Sequence, residues 1–171
     1  MSTRVQELFD LAGHVALVTG GSRGLGLQVA EALGDAGAQL VLTSRKASDL
    51  QEACRYLAAR NISASWIAGD AADPIQLTRI ASEAMNLHGR VDILVNSAAI
   101  FGMAPVVDIT EHSFDSQFAV NVKGTLFMAL LRALGVPCRV HGFAIDKRLQ
   151  RGAVTGLFYL LAPRQLLHSW V

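Results

Sequence analysis

The stretch "HVALVT" (14–19) runs directly into "GGSRGLG" (20–26), and this junction constrains the fold more than any other part of the chain. A continuous apolar, partly β-branched run that ends in glycines suits a strand buried on both faces of a parallel sheet. Gly20, Gly24 and Gly26 allow a tight turn in which backbone approaches backbone. Leu25, Val29, Ala32, Leu33 and Ala36 then recur at helical spacing, and Gly37 is placed to end the helix in a left-handed conformation. A strand that feeds a helix at once predicts a parallel neighbour reached by a crossover, not a hairpin.

The unit repeats along the chain. "QLVLT" (39–43) reads as a second strand, followed by a helix in which Ser48 and Gln51 form a capping box and Leu50, Ala53, Cys54 and Leu57 share a face. "SASWIA" (63–68) is the third strand; Asp73 caps the next helix, Pro74 occupies its first position, Ile80, Ala84 and Leu87 form its apolar stripe, and Gly89 ends it. "VDILV" (91–95) is the fourth strand, and Thr110 opens a longer helix through Phe114, Phe118, Val122 and Leu126 that ends near Gly135. Alternating strands and helices predict an α/β fold, a doubly wound (Rossmann) parallel sheet flanked by helices. Beyond Leu130 the rhythm weakens, with "GAVTGLFYL" (152–160) as one further strand, so the sheet is read as incomplete on its C-terminal side. Residues 1–171 are expected to form a single domain, with 131–171 a divergent tail.

Composition narrows the function classes. The 171 residues are 51% hydrophobic and 17% charged with a net charge of +1, which suits a packed domain and gives no electrostatic footprint for nucleic acid or an anionic membrane. The tail differs in charge: residues 1–130 hold nine basic and thirteen acidic side chains, whereas 131–171 hold six basic ones and only Asp146. No aromatic interleaving accompanies those cations, so no nucleic-acid partner is expected. Cys54 and Cys138 match no metal spacing, and His14, His88, His112, His141 and His168 form no HxxxH, so no metal site is expected. Arg4, Glu7 and Asp10 interrupt the start, Arg132 breaks the stretch from Gly124 to Val136, and the run from Ala153 to Pro163 is too short to span a bilayer. A cytoplasmic protein with reduced thiols and no membrane segment is the expectation.

The glycine turn points to a ligand. A helix N-terminus offers free N–H groups and a dipole that favours anions, and small residues let phosphate oxygens approach the backbone. The turn residues Gly20, Ser22, Arg23, Gly24, Leu25 and Gly26 meet that need. Three glycines alone would equally suit a ligand-free turn; their place between strand and helix favours a dinucleotide. Such sites select their cofactor at the end of the second strand, where a carboxylate grips a ribose hydroxyl and an arginine accepts a 2′-phosphate. Here that place reads "TSRK", with Ser44 and Arg45, and no carboxylate follows before Asp49. NADP is therefore expected over NAD.

In their order, "TGGSRGLG", "GDAAD" (69–73), "NSAA" (96–99) and "NVKG" (121–124) resemble the markers of the short-chain dehydrogenases/reductases over residues 8 to about 130. The opening stretch is most similar to the gluconate 5-dehydrogenase and 3-oxoacyl reductase branch. The resemblance implies that Asp70 bonds the adenine amino group with the Ala71 backbone beside it, and that Asn96 and Ala98 border the ribose. Ser97 and Ala99 depart from the family's NNAG, and Ala99 adds a methyl group where the family has glycine. It also implies hydride exchange between nicotinamide and a small-molecule carbonyl or secondary alcohol, with a tyrosine transferring the proton beside a lysine four residues on and a serine polarising the carbonyl. Asn121 matches the asparagine that completes this set through a water-linked proton path.

The remaining members are not found. Tyr56 falls within the second helix, and Tyr159, at about the family's distance after Asn121, has Pro163 four residues on and Arg164 five. The lysines Lys46, Lys123 and Lys147 are preceded at that offset by Leu42, Ala119 and Phe143, and no serine lies between Ser116 and Ser169. A tyrosine with a free pKa of about 10 needs a neighbouring cation to act near neutral pH. Three readings stay open: an oxidoreductase by descent with impaired catalysis, a non-catalytic NADP-binding module, or a tail that is not the original continuation. In each, the fourth-helix surface around Phe118, Val122 and Phe127 is expected to be exposed and to favour self-association.

Overall fold

The computed structural model describes residues 9–130 with their side chains and, as backbone, the segments 139–144 and 157–160. Strands β1 (Val15–Thr19), β2 (Gln39–Ser44), β3 (Ala64–Ala68) and β4 (Ile93–Asn96) alternate with helices α1 (Gly24–Asp35), α2 (Ala47–Ala58) and α3 (Pro74–His88). A longer helical run follows, from α4 (Glu111–Phe118) through a π-helical turn at Ala119–Gly124 into α5 (Thr125–Leu130), and then come β5 (Arg139–Ala144) and β6 (Leu157–Leu160). The sheet order is β3-β2-β1-β4-β5-β6; β1 to β5 pair in parallel and β6 lies antiparallel to β5 at the edge. The order reverses beside β1, between β2 and β4. In a doubly wound sheet, that reversal opens a crevice at the carboxyl ends of the strands.

β1 is apolar throughout because both its faces are covered. Val15 and Leu17 enter a cluster with Val41, Leu77, Ile80 and Met128, while Ala16 and Val18 enter another with Ala30, Leu40, Leu50 and Leu57. Alternation by two sends successive side chains to the helices on opposite faces. All five β1 residues are buried.

Several local expectations need correction. α1 buries Gly26 and Ala30 and packs Leu27, Val29 and Leu33 against the core, whereas Leu25 in its first turn is 38% exposed. The Ser48–Gln51 capping box does not form: α2 starts at Ala47, its N-cap is Lys46, and Ser48 Oγ donates to Asp49 Oδ1 at 3.2 Å. α3 buries Leu77, Ile80, Ala81 and Ala84 but leaves Leu87 exposed. β5 was not anticipated, since Gly142 interrupts a weak apolar pattern; it pairs with β4 from Ile93 opposite Arg139 to Asn96 opposite Gly142. The caps at Asp73 and Thr110 form as expected, accepting from the N–H of Ile75 and Ser113, and Gly37 and Gly89 adopt positive φ.

At the N-terminal edge of the sheet, Asp92 ties β1 to β4. Its Oδ2 accepts from Val15 N–H at 2.9 Å, its own N–H donates to the Val15 carbonyl at 2.9 Å, and Arg90 bonds both carboxylate oxygens. Partial burial is the largest single influence on this carboxyl and raises its pKa. The Arg90 hydrogen bond, the Val15 N–H and the charges of Arg90 and His14 together outweigh it and hold the group below the usual carboxylate value. A depressed folded pKa means that the ionised form stabilises the fold, fully above the ordinary value near 4 and progressively less as pH falls through the folded value. Asp92→Ala is expected to lower stability by about 1–3 kcal/mol at neutral pH. In thermal melts the gap between the variant and the parent should narrow below about pH 4; a gap independent of pH would contradict this assignment.

Candidate functional site

The carboxyl ends of β1 and β4 are drawn together by Thr19. Its buried Oγ1 donates to the Val95 carbonyl at 3.4 Å and accepts from the N–H groups of Ser97 and Ala98, each at 3.1 Å. One hydroxyl thus uses its donor and both acceptor positions. Gly20 sits against the same turn: a Cβ there would lie 2.9 Å from Ala98 Cα, Ala98 N and the Ser97 carbonyl, and its φ of +67° favours glycine as well. A Cβ on Gly26 would overlap the Gly20 carbonyl. The turn is therefore closed by backbone from both sides.

Gly24 differs from its neighbours. Its φ is +56°, yet a Cβ would meet nothing within 4 Å, so the conformation demands glycine while the space before it stays open. The helix end it begins carries no side-chain cap: Arg23 is extended, its side chain makes no capping bond, and the first turn of α1 has no acidic residue. The first N–H groups of a helix have no intrahelical acceptor. Arg23, Gly24 and Leu25 are exposed, and Ser22 is half-buried.

β2 supplies the next wall. Its carbonyls at Thr43 and Ser44 accept from Gly21 N–H at 3.3 Å and Gly69 N–H at 2.8 Å, so the strand end holds the glycine turn and the β3–α3 turn at once. Ser44 Oγ is buried without a partner, which leaves its carbonyl as the group engaged here. Arg45 and Lys46 follow, both exposed, at the N-terminus of α2, where two cations oppose the helix dipole. Asp49 in the first turn offsets them in part. An anion between Arg23, Arg45 and Lys46 would satisfy both the cations and the uncapped helix ends, and the glycine cradle fits a dinucleotide phosphate.

Asp70 and Ala71 are half-buried in the β3–α3 turn. Asp70 Oδ1 accepts from Ala72 N–H at 2.9 Å, and no described group bonds the other carboxylate oxygen. Gly124, in the π-helical turn, packs against the Ala71 carbonyl so closely that a Cβ would overlap it. Thr19, Ala71, Asn96, Ala98 and Thr125 consequently line one narrow cleft. Asn96 is only 5% exposed and both polar atoms of its amide are buried without a partner, so its side chain faces inward. Ala98 stays half-buried beside Gly20, and Ala99 is exposed.

Asn121 occupies the π-helical turn and clamps the segment after β4. Its Oδ1 accepts from Ile100 N–H and its Nδ2 donates to the Ile100 carbonyl, both at 2.9 Å, while its own carbonyl accepts from Thr125 Oγ1 at 3.0 Å. Helical turns of this wide type recur at functional sites. Tyr159 lies in the antiparallel edge strand, opposite Gly142, and Pro163 and Arg164 fall outside the described residues. Tyr56 is a surface residue of α2, its hydroxyl donating to Glu31 at 2.9 Å and Arg60 stacked 3.9 Å from its ring centre. Among the described residues no three His, Cys, Asp or Glu side chains gather as metal ligands, and no helix is long and apolar enough to cross a membrane.

Reasoning from residue types assigned no task to Thr19 or Gly124, although both stand inside the quoted motifs. The signal was present as a threonine closing an otherwise apolar strand and a glycine inside a helix.

The family model for short chain dehydrogenase matches residues 14–134. Sorbitol dehydrogenase of Cereibacter sphaeroides is 43% identical over 128 residues, 72% of this chain and 48% of that protein. Galactitol 2-dehydrogenase of Agrobacterium fabrum is 38% identical over 118 residues, covering 69% of this chain and 45% of that protein. The chain thus spans about half the length of these relatives. Among solved structures, a 3-oxoacyl (acyl-carrier-protein) reductase from Agrobacterium tumefaciens with NADP bound superposes with a TM-score of 0.77 at 31% identity, over 91% of this chain and 61% of that one.

Thr19→Val is expected to destabilise the fold by about 2–4 kcal/mol, because it leaves the Ser97 and Ala98 N–H groups without their acceptor. Thr19→Ser keeps the hydroxyl and should stay within about 1 kcal/mol of the parent in denaturant unfolding; equal losses in both variants would contradict the assigned role.

Proposed function

The chain belongs to the short-chain dehydrogenase family, and from that premise we propose that its crevice binds NADP(H) while the residues present support little turnover. The observation that carries this reading is the open, uncapped start of α1 at Gly24, flanked by exposed Arg23, Arg45 and Lys46. The N–H groups around Ser22, Gly24 and Leu25 would hold the pyrophosphate, Gly20 and Gly26 letting the turn close behind them. Arg45, with Arg23, would accept the 2′-phosphate as a charge-assisted partner, and Ser44 would contribute through its backbone. Asp70 has a free carboxylate oxygen for the adenine amino group, with Ala71 beside it. Ala98 and the backbone of Asn96 would border the ribose.

Bound, the nicotinamide supplies hydride exchange with a carbonyl or secondary alcohol, the substrate class inferred from the family. The proton has no equivalent provision in these residues. No tyrosine in the sequence is followed four residues later by lysine, the cation that a phenol with a free pKa of about 10 needs for acid–base work near neutral pH. Asn121, its amide engaged by Ile100, would act here as a clamp for the segment over the crevice.

Calorimetry is expected to show NADPH binding more tightly than NADH, and Arg45→Glu should weaken NADPH by about tenfold or more with a smaller effect on NADH. Carbonyl reduction by the purified chain should run below about a thousandth of a complete relative's rate, since general acid–base catalysis contributes about 10²- to 10⁴-fold. No NADPH binding would sink the proposal, and an ordinary enzymatic rate would sink its non-catalytic part.

We also propose self-association through the fourth helical run. Phe114 and Phe118 stack there with ring centres 5.8 Å apart, and Phe118, Val122, Leu126 and Phe127 are exposed on the same run. Gel filtration should give a mass above 18.3 kDa that Phe118→Glu lowers to the monomer value; a parent that already elutes as a monomer would contradict it.

A further inference from the structure

The turn between β3 and α3 is held by a side chain that reaches past its ordinary capping partner. Asp73 is the N-cap of α3 and Gln76 stands three residues on, where a glutamine usually bonds back to the cap residue's own N–H. Here Asp73 N–H goes instead to the Asp70 carbonyl at 3.2 Å. Gln76 Oε1 accepts from Asp70 N–H at 3.0 Å, and its Nε2 donates to Asp73 Oδ2 at 2.9 Å. One amide therefore joins the two ends of the turn.

The orientation of that amide is determined by charge. The Gln76 amide above all, with the Ile75 N–H, holds the Asp73 carboxyl below the usual range, so it is an acceptor only. The NH₂ group of Gln76 must face it, which leaves Oε1 for Asp70 N–H. The other attachments hold the flanks and the far side of Asp70: Gly69 N–H on Ser44, Arg79 Nη2 on the Ala68 carbonyl at 2.5 Å, Gly124 against Ala71, and on Asp70 itself the Asp73 N–H to its carbonyl and the Ala72 N–H to Oδ1. Between them lies the Gly69–Asp70 peptide. A peptide that follows glycine is freer to rotate than most, and Gln76 is the described acceptor for its N–H.

We propose that Gln76 is a positioning residue for the adenine half of the cofactor, fixing the Gly69–Asp70 peptide so that the Asp70 carboxylate meets the purine amino group. This rests on the dinucleotide reading above. Gln76 does not itself touch the cofactor; it acts through Asp70. Releasing the peptide leaves the Asp70 carboxylate tethered through the Ala72 N–H alone, so it shifts with the turn and the site then loses its ability to tell an amino group at that ring position from a carbonyl.

The test compares NADPH with its reduced hypoxanthine analogue, in which a carbonyl replaces the adenine amino group, on the whole chain carrying Gln76→Met or Gln76→Ala. The parent should prefer NADPH by about tenfold, the worth of one hydrogen bond to a charged group. Both variants should bring the two affinities to within about threefold of each other and speed amide hydrogen exchange at Asp70. Methionine keeps the side chain's length, and alanine favours the helix, so a folding failure in one leaves the other to decide. An unchanged preference overturns the proposal, as does a parallel loss of both affinities, which would mark a merely structural role. Failure of the parent to bind either dinucleotide overturns the cofactor reading, and with it the assigned target of Gln76. Unaltered Asp70 exchange in the ligand-free variants overturns the brace itself.

Discussion

The hydroxyl of Thr19 is the bond on which the crevice depends. It is buried at the end of β1, donates to the carbonyl of Val95 and accepts from two successive N–H groups after β4. A strand that leaves a sheet loses its ladder partners, and here the Thr19 hydroxyl takes their place. The bond keeps the β4 turn beside the glycine turn, which makes a side chain at Gly20 intolerable, and the Gly20 carbonyl excludes one at Gly26. Reversal of strand order at β1 makes the crevice available; the threonine and the two glycines keep it narrow.

From that junction the remaining walls follow by short backbone links. The last carbonyls of β2 reach both the glycine turn and the β3–α3 turn, and Gly124 brings the fourth helical run onto Ala71. Asn121, one turn earlier, pins the segment beyond β4. The anion-binding features thus stand on a frame built mostly of main-chain contacts.

Much of this architecture was legible in the residues. Apolar runs located β1, β2 and β4, which are covered on both faces for most of their length, and Asp73 with Pro74 and Gly89 marked both ends of α3. Leu25 and Leu87 misled, since helical spacing does not say how wide a face the sheet covers, and both lie at helix ends beyond it. The capping box at Ser48 was a local pattern overridden when the strand end positioned Lys46 at the cap. The inward turn of Asn96, the π-helical widening around Asn121 and the reach of Gln76 depend on what lies opposite in space, and spacing along the chain carries no record of that.

The central claim is that the glycine turn, the β2 end and the β3–α3 turn form one dinucleotide site. Residue-by-residue amide shifts on addition of NADPH test it most directly. The account predicts that the largest changes fall together on Ser22 to Leu25, on Arg45 and on Asp70 and Ala71. Changes confined to the exposed helical run around Phe118, or none at saturating NADPH, would contradict it.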